Sequence, residues 1–295
     1  MSAEPVGFIG TGRMGTPMAG HLLDAGVPLV VHDARADAAR PLLERGAAWA
    51  ASPAAVAAGA RTVLTIVPSS REVEVVYADL LPALGPGHLM VEMTSADPAS
   101  TRRLAREVAA RGAAMLDAPV SGGVKGAVEG TLAIMVGGGA ADLARARPLL
   151  ERMGKRVFHV GDVGAGHAMK LVNNMTSAAC LVATAEALAV AVRAGIDPAR
   201  AADILSASSG RSNASELKFP RYILPGTFDS GFTLALMTKD IDGFVRLAEE
   251  TGVEAPVALA AAEYFRRAMQ GPLAAEDHTA IARVLGFPGR EGEGR

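Results

Sequence analysis

The feature that most constrains the fold is a glycine-rich segment near the start of the chain, Gly10-Thr11-Gly12-Arg13-Met14-Gly15. It follows an apolar run at residues 6–9 that has the length of a buried strand, and it opens an amphipathic segment at residues 13–25. A strand, a tight glycine turn and a helix in this order form the first half of a βαβ unit. The segment therefore predicts an α/β fold whose first turn exposes its backbone to a ligand.

Short apolar runs and amphipathic segments alternate through the first half of the chain. The apolar runs are typical of strands buried on both faces, and several amphipathic segments open with proline or serine, as helices often do. This alternation predicts a parallel, doubly wound sheet of the Rossmann kind. The predicted strands are 6–9, 29–32, 63–67, 89–92, 115–117, 132–136 and 157–160, and the predicted helices include 13–25, 36–45, 98–111 and 141–153.

The pattern changes after Gly161. Residues 167–194 contain no glycine or proline and are apolar on most faces, which predicts one long buried helix. Helical patterns continue to residue 283 without alternating strands. We therefore expect a dinucleotide-binding Rossmann domain at residues 1–162, an all-helical substrate and oligomerisation domain at 163–288 that is joined through the long helix, and a disordered tail at 289–295.

The charge balance argues against several classes of partner. The net charge is −2, so no basic field is available to bind a nucleic-acid backbone. No basic stretch precedes an apolar segment at the start of the chain, and the apolar runs carry polar residues, so neither a targeting segment nor a membrane span is expected. The single cysteine, Cys180, excludes an intrachain disulfide. Together these observations favour a cytoplasmic protein.

Each glycine of the first turn has a predicted role. Gly10 permits the tight turn, Gly12 lets a pyrophosphate approach the backbone, and Gly15 lets the helix pack against the strand. The helix N-terminus adds free N–H groups and the positive end of its dipole. An ordinary turn in a glycine-rich chain is the alternative. The preceding strand, the following helix and an acidic residue at the expected distance favour a dinucleotide site formed by residues 10–15.

The acidic residue is Asp33, at the end of the second predicted strand. A carboxylate there can accept hydrogen bonds from both hydroxyls of the adenosine ribose, and its charge would repel the 2′-phosphate of NADP. Asp33 therefore favours NAD. Arg35 leaves NADP open, because an arginine two residues away can pair with that phosphate. A solvated residue at a strand end is the other interpretation of Asp33.

A candidate catalytic pair lies at the start of the long helix, where Lys170 and Asn174 are four residues apart. That spacing places them about 40° apart around the axis and about one turn along it. One interpretation is a structural lysine satisfied by carbonyl groups. The other is a partly desolvated lysine whose lowered pKa lets it exchange a proton with a substrate oxygen during hydride transfer, while Asn174 holds that oxygen or a neighbouring carboxylate.

A candidate carboxylate-binding turn follows the strand at residues 115–117. Ser121, Gly122 and Gly123 offer successive backbone N–H groups and one hydroxyl without bulky side chains. A simple loop is the alternative for so short a motif. Its position at the carboxyl end of a strand, where open α/β sheets bind ligands, favours substrate binding.

With these residues in place, the chain resembles the β-hydroxyacid dehydrogenase family, which includes 3-hydroxyisobutyrate dehydrogenases and tartronate semialdehyde reductases. Residues 7–19 resemble the family's N-terminal motif, and residues 117–132 resemble its substrate-binding segment. Residues 164–174 resemble the catalytic segment, and residues 232–240 resemble the C-terminal motif. The four segments occur in the family's order and span most of the chain.

The resemblance implies an oxidoreductase that interconverts a small hydroxy acid and its semialdehyde with NAD, or NADP, as cofactor. It implies that Lys170 is the general acid/base and that Asn174 and the Ser121 turn hold the substrate. It also places Lys239 across the cleft from the cofactor, with Asp240 behind it. The residues it assigns to the nicotinamide half of the cofactor are Val67, Pro68 and Ser95.

One segment departs from the family's pattern. Members that take a methyl-bearing substrate tend to carry an aromatic residue soon after the Ser-Gly-Arg sequence, whereas this chain has Asn213 there. An amide suggests a more polar pocket and favours hydroxylated or doubly charged acids. Arg211 is a candidate partner for a second anionic group of the substrate. The alternative is that Arg211 is a surface residue that binds no ligand.

Other functions of the same fold stay open at this stage. A 6-phosphogluconate dehydrogenase would need a longer helical domain, and an imine reductase would not usually carry a lysine at the catalytic position. A non-catalytic dinucleotide-binding module is expected to lose Lys170 or Asn174. The six histidines show no ligand spacing, so no metal is expected. The apolar long helix favours a homodimer or homotetramer.

Overall fold

The computed structural model describes residues 4–287 and divides into two compact units, the first ending at Lys170 and the second beginning at Leu171. The division falls inside the long helix, a few residues after residue 162, where we expect the first domain to end. The expected domain boundary stays a prediction. The tail expected at residues 289–295 lies outside the described residues.

The first unit is built on one sheet with the strand order β3-β2-β1-β4-β5-β6-β8-β7, and β9 pairs with β8. Its strands are β1 Val6–Ile9, β2 Leu29–His32, β3 Ala48–Trp49, β4 Thr62–Thr65, β5 Leu89–Glu92, β6 Ala114–Asp117, β7 Val120–Ser121, β8 Leu132–Gly137 and β9 Gly154–Gly161. Its α-helices are α1 Gly15–Asp24, α2 Arg40–Leu43, α3 Pro53–Gly59, α4 Ser70–Leu80, α5 Pro98–Ala109, α6 Gly123–Glu129 and α7 Ala140–Met153. Short 3₁₀ turns occupy Ala36–Ala39 and Leu81–Ala83.

Both faces of this sheet are buried, which explains the continuous apolar runs of its strands. Phe8 of β1 and Leu64 of β4 belong to a core cluster on one face. Their neighbours Ile9 and Val63 belong to a separate cluster on the other face. Successive residues of a strand point to opposite faces, so a strand covered on both sides needs an apolar residue at every position.

The parallel, doubly wound arrangement predicted from the sequence is confirmed over the first six strands. The far edge of the sheet differs, because β8 is antiparallel to β6 and to β7. The helix expected at residues 36–45 is also divided into the 3₁₀ turn Ala36–Ala39 and α2. Pro41 lies in the first turn of α2, and its ring nitrogen has no hydrogen to continue an earlier helix.

The second unit is helical, as the sequence predicts. Its elements are α8 Ala165–Arg193, which begins in the first unit, α9 Pro198–Ala207, a π-helix at Ala214–Ile223, α10 Leu234–Thr251 and α11 Pro256–Met269, followed by 3₁₀ segments at Pro272–Ala275 and His278–Leu285. Its core contains Leu181 of α8, Phe219 of the π-helix, Ile241 of α10 and Phe265 of α11.

The long helix α8 is present, but it is not enclosed on every side. Val190 is 69% exposed, and Val172 and Val192 are also exposed. Within residues 4–287, α8 alone is long and apolar enough to cross a membrane, judged by length and composition. Core helices of globular proteins meet the same criterion. The expectation of no membrane partner stays a prediction.

Candidate active site

The glycine turn after β1 has the geometry that its predicted roles require. Gly10 has a φ of 92°, and a Cβ atom there would lie 2.0 Å from the Ile66 carbonyl oxygen. A Cβ on Gly15 would lie 1.8 Å from the Gly10 carbonyl oxygen, so α1 packs directly against the turn. At Gly12, by contrast, a Cβ would meet no protein atom within 4 Å. The space beside Gly12 is therefore open, as a pyrophosphate cradle requires.

Asp33 joins this turn to the end of β2. One carboxylate oxygen, Oδ2, accepts a hydrogen bond from the Thr11 backbone N–H at 2.8 Å, and Oδ1 accepts one from the Arg35 N–H at 2.9 Å. The Thr11 hydroxyl also donates to Oδ2 at 3.3 Å, so the acceptor position that remains for a ribose hydroxyl is on Oδ1. The residues present fit a nicotinamide dinucleotide, with Gly12 at its phosphates and Asp33 at its adenosine ribose.

The carboxyl ends of β4 and β5 are tied together beside the predicted nicotinamide residues. The Val67 backbone N–H donates to the Thr94 hydroxyl at 3.0 Å, and the Thr94 N–H donates to Glu92 Oε1 at 2.8 Å. Of the residues predicted here, Val67 and Ser95 are half-buried and Pro68 is exposed. The structure therefore brings the Val67 and Ser95 segments together through Thr94, which the sequence interpretation did not single out.

Glu92 lies fully buried on this edge, beside Asp117 in the ladder between β5 and β6. Burial raises the pKa of Glu92 to about 8, against the opposing effect of the hydrogen bonds from Thr94. Among the described residues, its second oxygen, Oε2, has no hydrogen-bond partner. Glu92 is therefore a neutral carboxylic acid near pH 7.

Asp117, at the end of β6, anchors the start of α8. Its two carboxylate oxygens accept hydrogen bonds from the backbone N–H groups of Gly164 and His167, both at 2.7 Å. A negative charge at a helix N-terminus satisfies free N–H groups and interacts favourably with the helix dipole. A Cβ on Gly166 would lie 2.8 Å from the Asp117 carbonyl oxygen, so the first turn of α8 packs tightly on the sheet.

His167 links the same turn of α8 to the segment that follows β5. Its Nε2 lies 2.7 Å from the Thr94 carbonyl oxygen, and its Nδ1 lies 2.7 Å from the Thr101 hydroxyl oxygen. A carbonyl oxygen can only accept, so Nε2 carries a hydrogen and donates to Thr94. His167 is fully buried. The imidazole therefore couples the segment that contains Ser95 to the helix that carries Lys170.

Lys170 lies one turn further along α8, and its residue is 7% exposed. It is the last residue of the first unit. Asn174, four residues on, is 5% exposed and lies in the second unit. Because α8 is continuous between them, the helix sets their separation along its axis at about 6 Å. A buried lysine and a buried amide thus follow each other on one helix, as the sequence predicts.

Asp240 of α10 orients Asn174. The Asn174 Nδ2 donates to Asp240 Oδ2 at 2.5 Å, and the Lys239 Nζ lies 2.9 Å from Asp240 Oδ1. Asp240 is 1% exposed, so a buried carboxylate joins an amide and a lysine. The second hydrogen of Nδ2 stays available to a ligand oxygen. The resemblance placed Asp240 behind Lys239, and the structure adds its contact with Asn174.

The predicted carboxylate-binding turn lies at the antiparallel edge of the sheet. Ser121 ends β7, opposite Ala133 of β8. Gly122 and Gly123 follow with φ of 134° and 62°, a region that side chains rarely adopt. A Cβ on Gly123 would meet no protein atom within 4 Å. The backbone of this turn is therefore accessible, as a carboxylate site needs.

The remaining predicted cofactor residues lie on the glycine loop. Arg13 is exposed, Met14 is half-buried, and Thr11 is buried against Asp33. Within residues 4–287 no group of three or more His, Cys, Asp or Glu side chains is placed to hold a metal ion. The expectation of a metal-free site stays a prediction.

Besides Thr94, the sequence interpretation did not single out the buried residues Glu92, His167 and Lys218. Lys218 lies in the π-helix and is 6% exposed. Glu92 ends an apolar strand, where acidic residues are common, and His167 carries no distinguishing spacing. Lys218 lies between the charged residues Glu216 and Arg221, in a pattern typical of a solvated helix. Arg211, the candidate for a second anionic group, is instead exposed and lies 3.7 Å from Glu216.

The chain matches two families of known sequences. Residues 5–161 match the NAD binding domain of 6-phosphogluconate dehydrogenase, and residues 164–285 match a family described as NAD-binding of NADP-dependent 3-hydroxyisobutyrate dehydrogenase. These two segments correspond to the Rossmann sheet and to the helical part that follows it. The fold and the dinucleotide cradle thus define a nicotinamide-dependent oxidoreductase.

Relatives that match nearly the whole chain indicate which nicotinamide-dependent oxidoreductases it resembles. The chain is 37% identical to 2-(hydroxymethyl)glutarate dehydrogenase of Eubacterium barkeri, over 95% of this chain and 94% of the relative. It is 38% identical to the NAD-dependent L-serine dehydrogenase of Pseudomonas aeruginosa, over 96% and 98%. The solved 3-hydroxyisobutyrate dehydrogenase of Mycobacterium tuberculosis, described with L-serine, superposes with a TM-score of 0.89 at 33% identity, over 96% and 99%.

The chain therefore belongs to the 3-hydroxyisobutyrate dehydrogenase family, as its resemblance to the β-hydroxyacid dehydrogenases implies. It is an NAD(P)-dependent oxidoreductase that acts on the CH–OH group of hydroxy acids.

Proposed function

We propose that the protein interconverts a small 3-hydroxy acid and its semialdehyde with Lys170 as the general acid/base. One observation carries this proposal: Lys170 is buried on α8 one turn before Asn174, whose amide is held by Asp240 at 2.5 Å. A desolvated lysine beside an oriented amide is suited to proton exchange with a bound hydroxyl.

A bound nicotinamide would supply the hydride chemistry that these residues lack, as acceptor in the oxidation and as donor in the reduction. In the oxidation, neutral Lys170 takes the hydroxyl proton as the C–O bond becomes a carbonyl, and it leaves the step as an ammonium. In the reduction, the same ammonium returns the proton to the oxygen. One lysine therefore serves both directions.

Asn174 and the Ser121 turn hold the substrate for this transfer. The free Nδ2 hydrogen of Asn174 donates to the carbinol oxygen or the neighbouring carboxylate. The hydroxyl of Ser121 and the backbone N–H groups of Gly122 and Gly123 bind the carboxylate. His167 and Asp117 fix the first turn of α8, so they position Lys170 without contacting substrate.

The test is NADH formation from a panel of hydroxy acids by the wild type, Lys170→Met and a control, Lys155→Met, whose lysine is exposed on β9. We expect kcat to fall about 10²- to 10⁴-fold in Lys170→Met, because general acid–base catalysis contributes a factor of this size. NADH binding should stay unchanged, and Lys155→Met should match the wild type.

Two outcomes contradict the proposal in different ways. Equal turnover in Lys170→Met would show that another group moves the proton. A wild type that binds NADH and turns over none of the acids would refute the reaction class. Activity that survives exhaustive chelation is also expected, since Lys170 replaces the Lewis acid that a zinc enzyme would use.

We further propose NAD as the preferred cofactor. Asp33 carries a negative charge where the 2′-phosphate of NADP would lie, and its Oδ1 accepts a hydrogen bond from the backbone N–H of Arg35. The Arg35 side chain is exposed, and no ion pair to Asp33 occurs among the described residues. A kcat/KM higher with NADP than with NAD would contradict this preference.

We propose a homo-oligomer whose interface uses the helices of the second unit. Val190 of α8 and Ile204 of α9 are 69% and 55% exposed, and Ile196 between the two helices is also exposed. Large apolar side chains that are exposed and close in sequence favour a subunit contact. A second copy of the chain is the expected occupant. Light scattering should show a dimer or tetramer for the wild type and a smaller species for Val190→Glu.

A further inference from the structure

Lys218 is a buried cation outside the residues assigned so far. It lies in the middle of the π-helix Ala214–Ile223 and is 6% exposed. Pro220 lies inside this helix and cannot donate the backbone hydrogen bond of an α-helix. Such wide turns are uncommon and recur at functional sites. The chain thus uses an irregular helix to bury a lysine.

The protein itself does little to compensate this charge. Lys218 Nζ donates to the Ser177 hydroxyl at 2.9 Å, and within residues 4–287 no carboxylate lies within 4 Å of it. An ammonium has three hydrogens to donate, and a neutral hydroxyl satisfies one. Burial lowers the pKa of Lys218 to about 8, so the group is still mainly charged at pH 7.

The carboxylate whose charge acts on Lys218 is that of Asp277, and it is already engaged. Its oxygens accept hydrogen bonds from the backbone N–H groups of Gly231, Phe232 and Thr279. The neighbouring His278 is buried, and burial lowers its pKa, so the imidazole is neutral near pH 7 and adds no second positive charge. A buried ammonium with one hydroxyl partner is an expensive arrangement unless an anion joins it.

The place of Ser177 connects Lys218 to the substrate residues. Ser177 is three residues after Asn174 on α8, so the two lie on one face of the helix and about 4.5 Å apart along its axis. A substrate held by Asn174 therefore has its next polar neighbours on this face at Ser177 and Lys218. Arg211 does not compete for this position, because it is exposed and paired with Glu216.

We propose that Lys218 and Ser177 bind a second, distal carboxylate of the substrate, so that the enzyme prefers hydroxy dicarboxylic acids over monocarboxylic ones. This assignment rests on the proposed function, since it places the reacting end of the substrate at Lys170 and Asn174. The distal carboxylate supplies the counter-ion that Lys218 lacks, and the Ser177 hydroxyl donates a further hydrogen bond to it. Lys218 is a specificity residue and takes no part in proton transfer.

The experiment compares one hydroxy dicarboxylic acid, 2-(hydroxymethyl)glutarate, with its distal monoamide, which has the same size and lacks the second charge. The wild type should show a kcat/KM about 10- to 100-fold higher for the dicarboxylate, the range expected for a charge-assisted hydrogen bond. In Lys218→Met the ratio should fall to near one, while kcat/KM for the monoamide stays within about threefold of the wild type. Lys218→Arg should retain part of the preference.

Two controls separate this role from a structural one. Methionine fills a similar volume without a charge, so Lys218→Met should unfold at the wild-type temperature or above it. Arg211→Met removes the exposed cation of the same segment and should keep the full preference. A preference lost in Arg211→Met and kept in Lys218→Met would overturn the assignment, and so would a wild type that does not distinguish the two acids.

Binding provides a readout that does not need turnover. Calorimetry on the enzyme–NADH complex should show that glutarate binds about 10-fold more tightly to the wild type than to Lys218→Met, and that butyrate does not distinguish them. If no hydroxy acid is oxidised but tight binding of glutarate still requires Lys218, the proposed reaction is refuted and the anion site is supported. If hydroxy acids are oxidised but binding of glutarate does not require Lys218, the anion site is refuted and the proposed reaction is not.

Discussion

Replacing Glu92 by glutamine should flatten the pH dependence of the stability of the first unit. Glu92 is fully buried between the ends of β4 and β6, and burial raises its pKa from 4.5 to about 8. The folded protein therefore holds this proton to a higher pH than the unfolded chain does. The stabilisation is complete below the unfolded pKa and is lost as the pH rises through the folded pKa. A glutamine cannot ionise, so it removes this loss.

The magnitude follows from the size of the shift. One pKa unit corresponds to about 1.4 kcal/mol, so a shift from 4.5 to about 8 corresponds to about 5 kcal/mol in total. Roughly 2 kcal/mol of this is already lost at pH 6, and nearly all of it at pH 9. Between these two pH values, the wild type should therefore lose about 2–3 kcal/mol more than Glu92→Gln does.

The chain offers a local probe for this measurement. Trp49 is its single tryptophan and lies on β3, so its fluorescence reports on the unfolding of the first unit. Urea titrations at pH 6 and pH 9 would give the free energy of unfolding for the wild type and for Glu92→Gln. Glu107→Gln is the matched control, because Glu107 lies in an exposed ion pair with Arg103 on α5. If the difference between wild type and Glu92→Gln is the same at both pH values, Glu92 ionises normally in the folded protein and the reasoning is refuted.

Three further substitutions test the cofactor and positioning residues. Gly12→Ala should weaken NADH binding about 10-fold or more without changing the unfolding temperature, because only a ligand would meet the new Cβ. The control is Gly85→Ala, where a Cβ also meets no protein atom within 4 Å, and it should change neither NADH binding nor the unfolding temperature. Asp33→Ala should raise KM for NAD and raise the ratio of NADP to NAD efficiency, as steady-state kinetics with both cofactors would show; an unchanged ratio would remove Asp33 from the ribose site. His167→Leu should lower kcat about 10-fold, and His167→Gln should recover most of it, since an amide can still donate to the Thr94 carbonyl. Equal activity of both His167 variants would mean that this hydrogen bond does not position Lys170.

Most strands of the first unit could be predicted because each has a local sequence pattern. A strand covered on both faces is a short run of apolar residues bounded by turn residues, and β1, β2 and β5 match their predicted ranges. The antiparallel pairing at the edge of the sheet, between β7 and β8, has no comparable sequence pattern. β7 has two residues, and its pairing with β8 depends on a turn after Asp117 whose direction no local pattern specifies.

The candidate site could be predicted where its residues are close in sequence. The glycine turn and the Lys170–Asn174 spacing are local patterns, and the structure shows both. His167 and Lys218 could not be found in this way, because their partners are distant. His167 contacts Thr94, 73 residues away, and Lys218 contacts Ser177, 41 residues away. Their role depends on burial and on partners that are distant in sequence, which only the folded chain reveals.

The two glycine-rich segments of the chain show how geometry separates similar patterns. Residues 10–15 and residues 161–166 both precede a helix, and either could be taken as an anion-binding turn from its sequence. A Cβ at Gly12 would meet open space, whereas a Cβ at Gly166 would meet the carbonyl oxygen of Met135 at 2.5 Å. The free N–H groups of the second segment are moreover occupied by the Asp117 carboxylate. The first segment is thus open to a cofactor, and the second is closed because it fixes α8, and with it Lys170, to the end of β6.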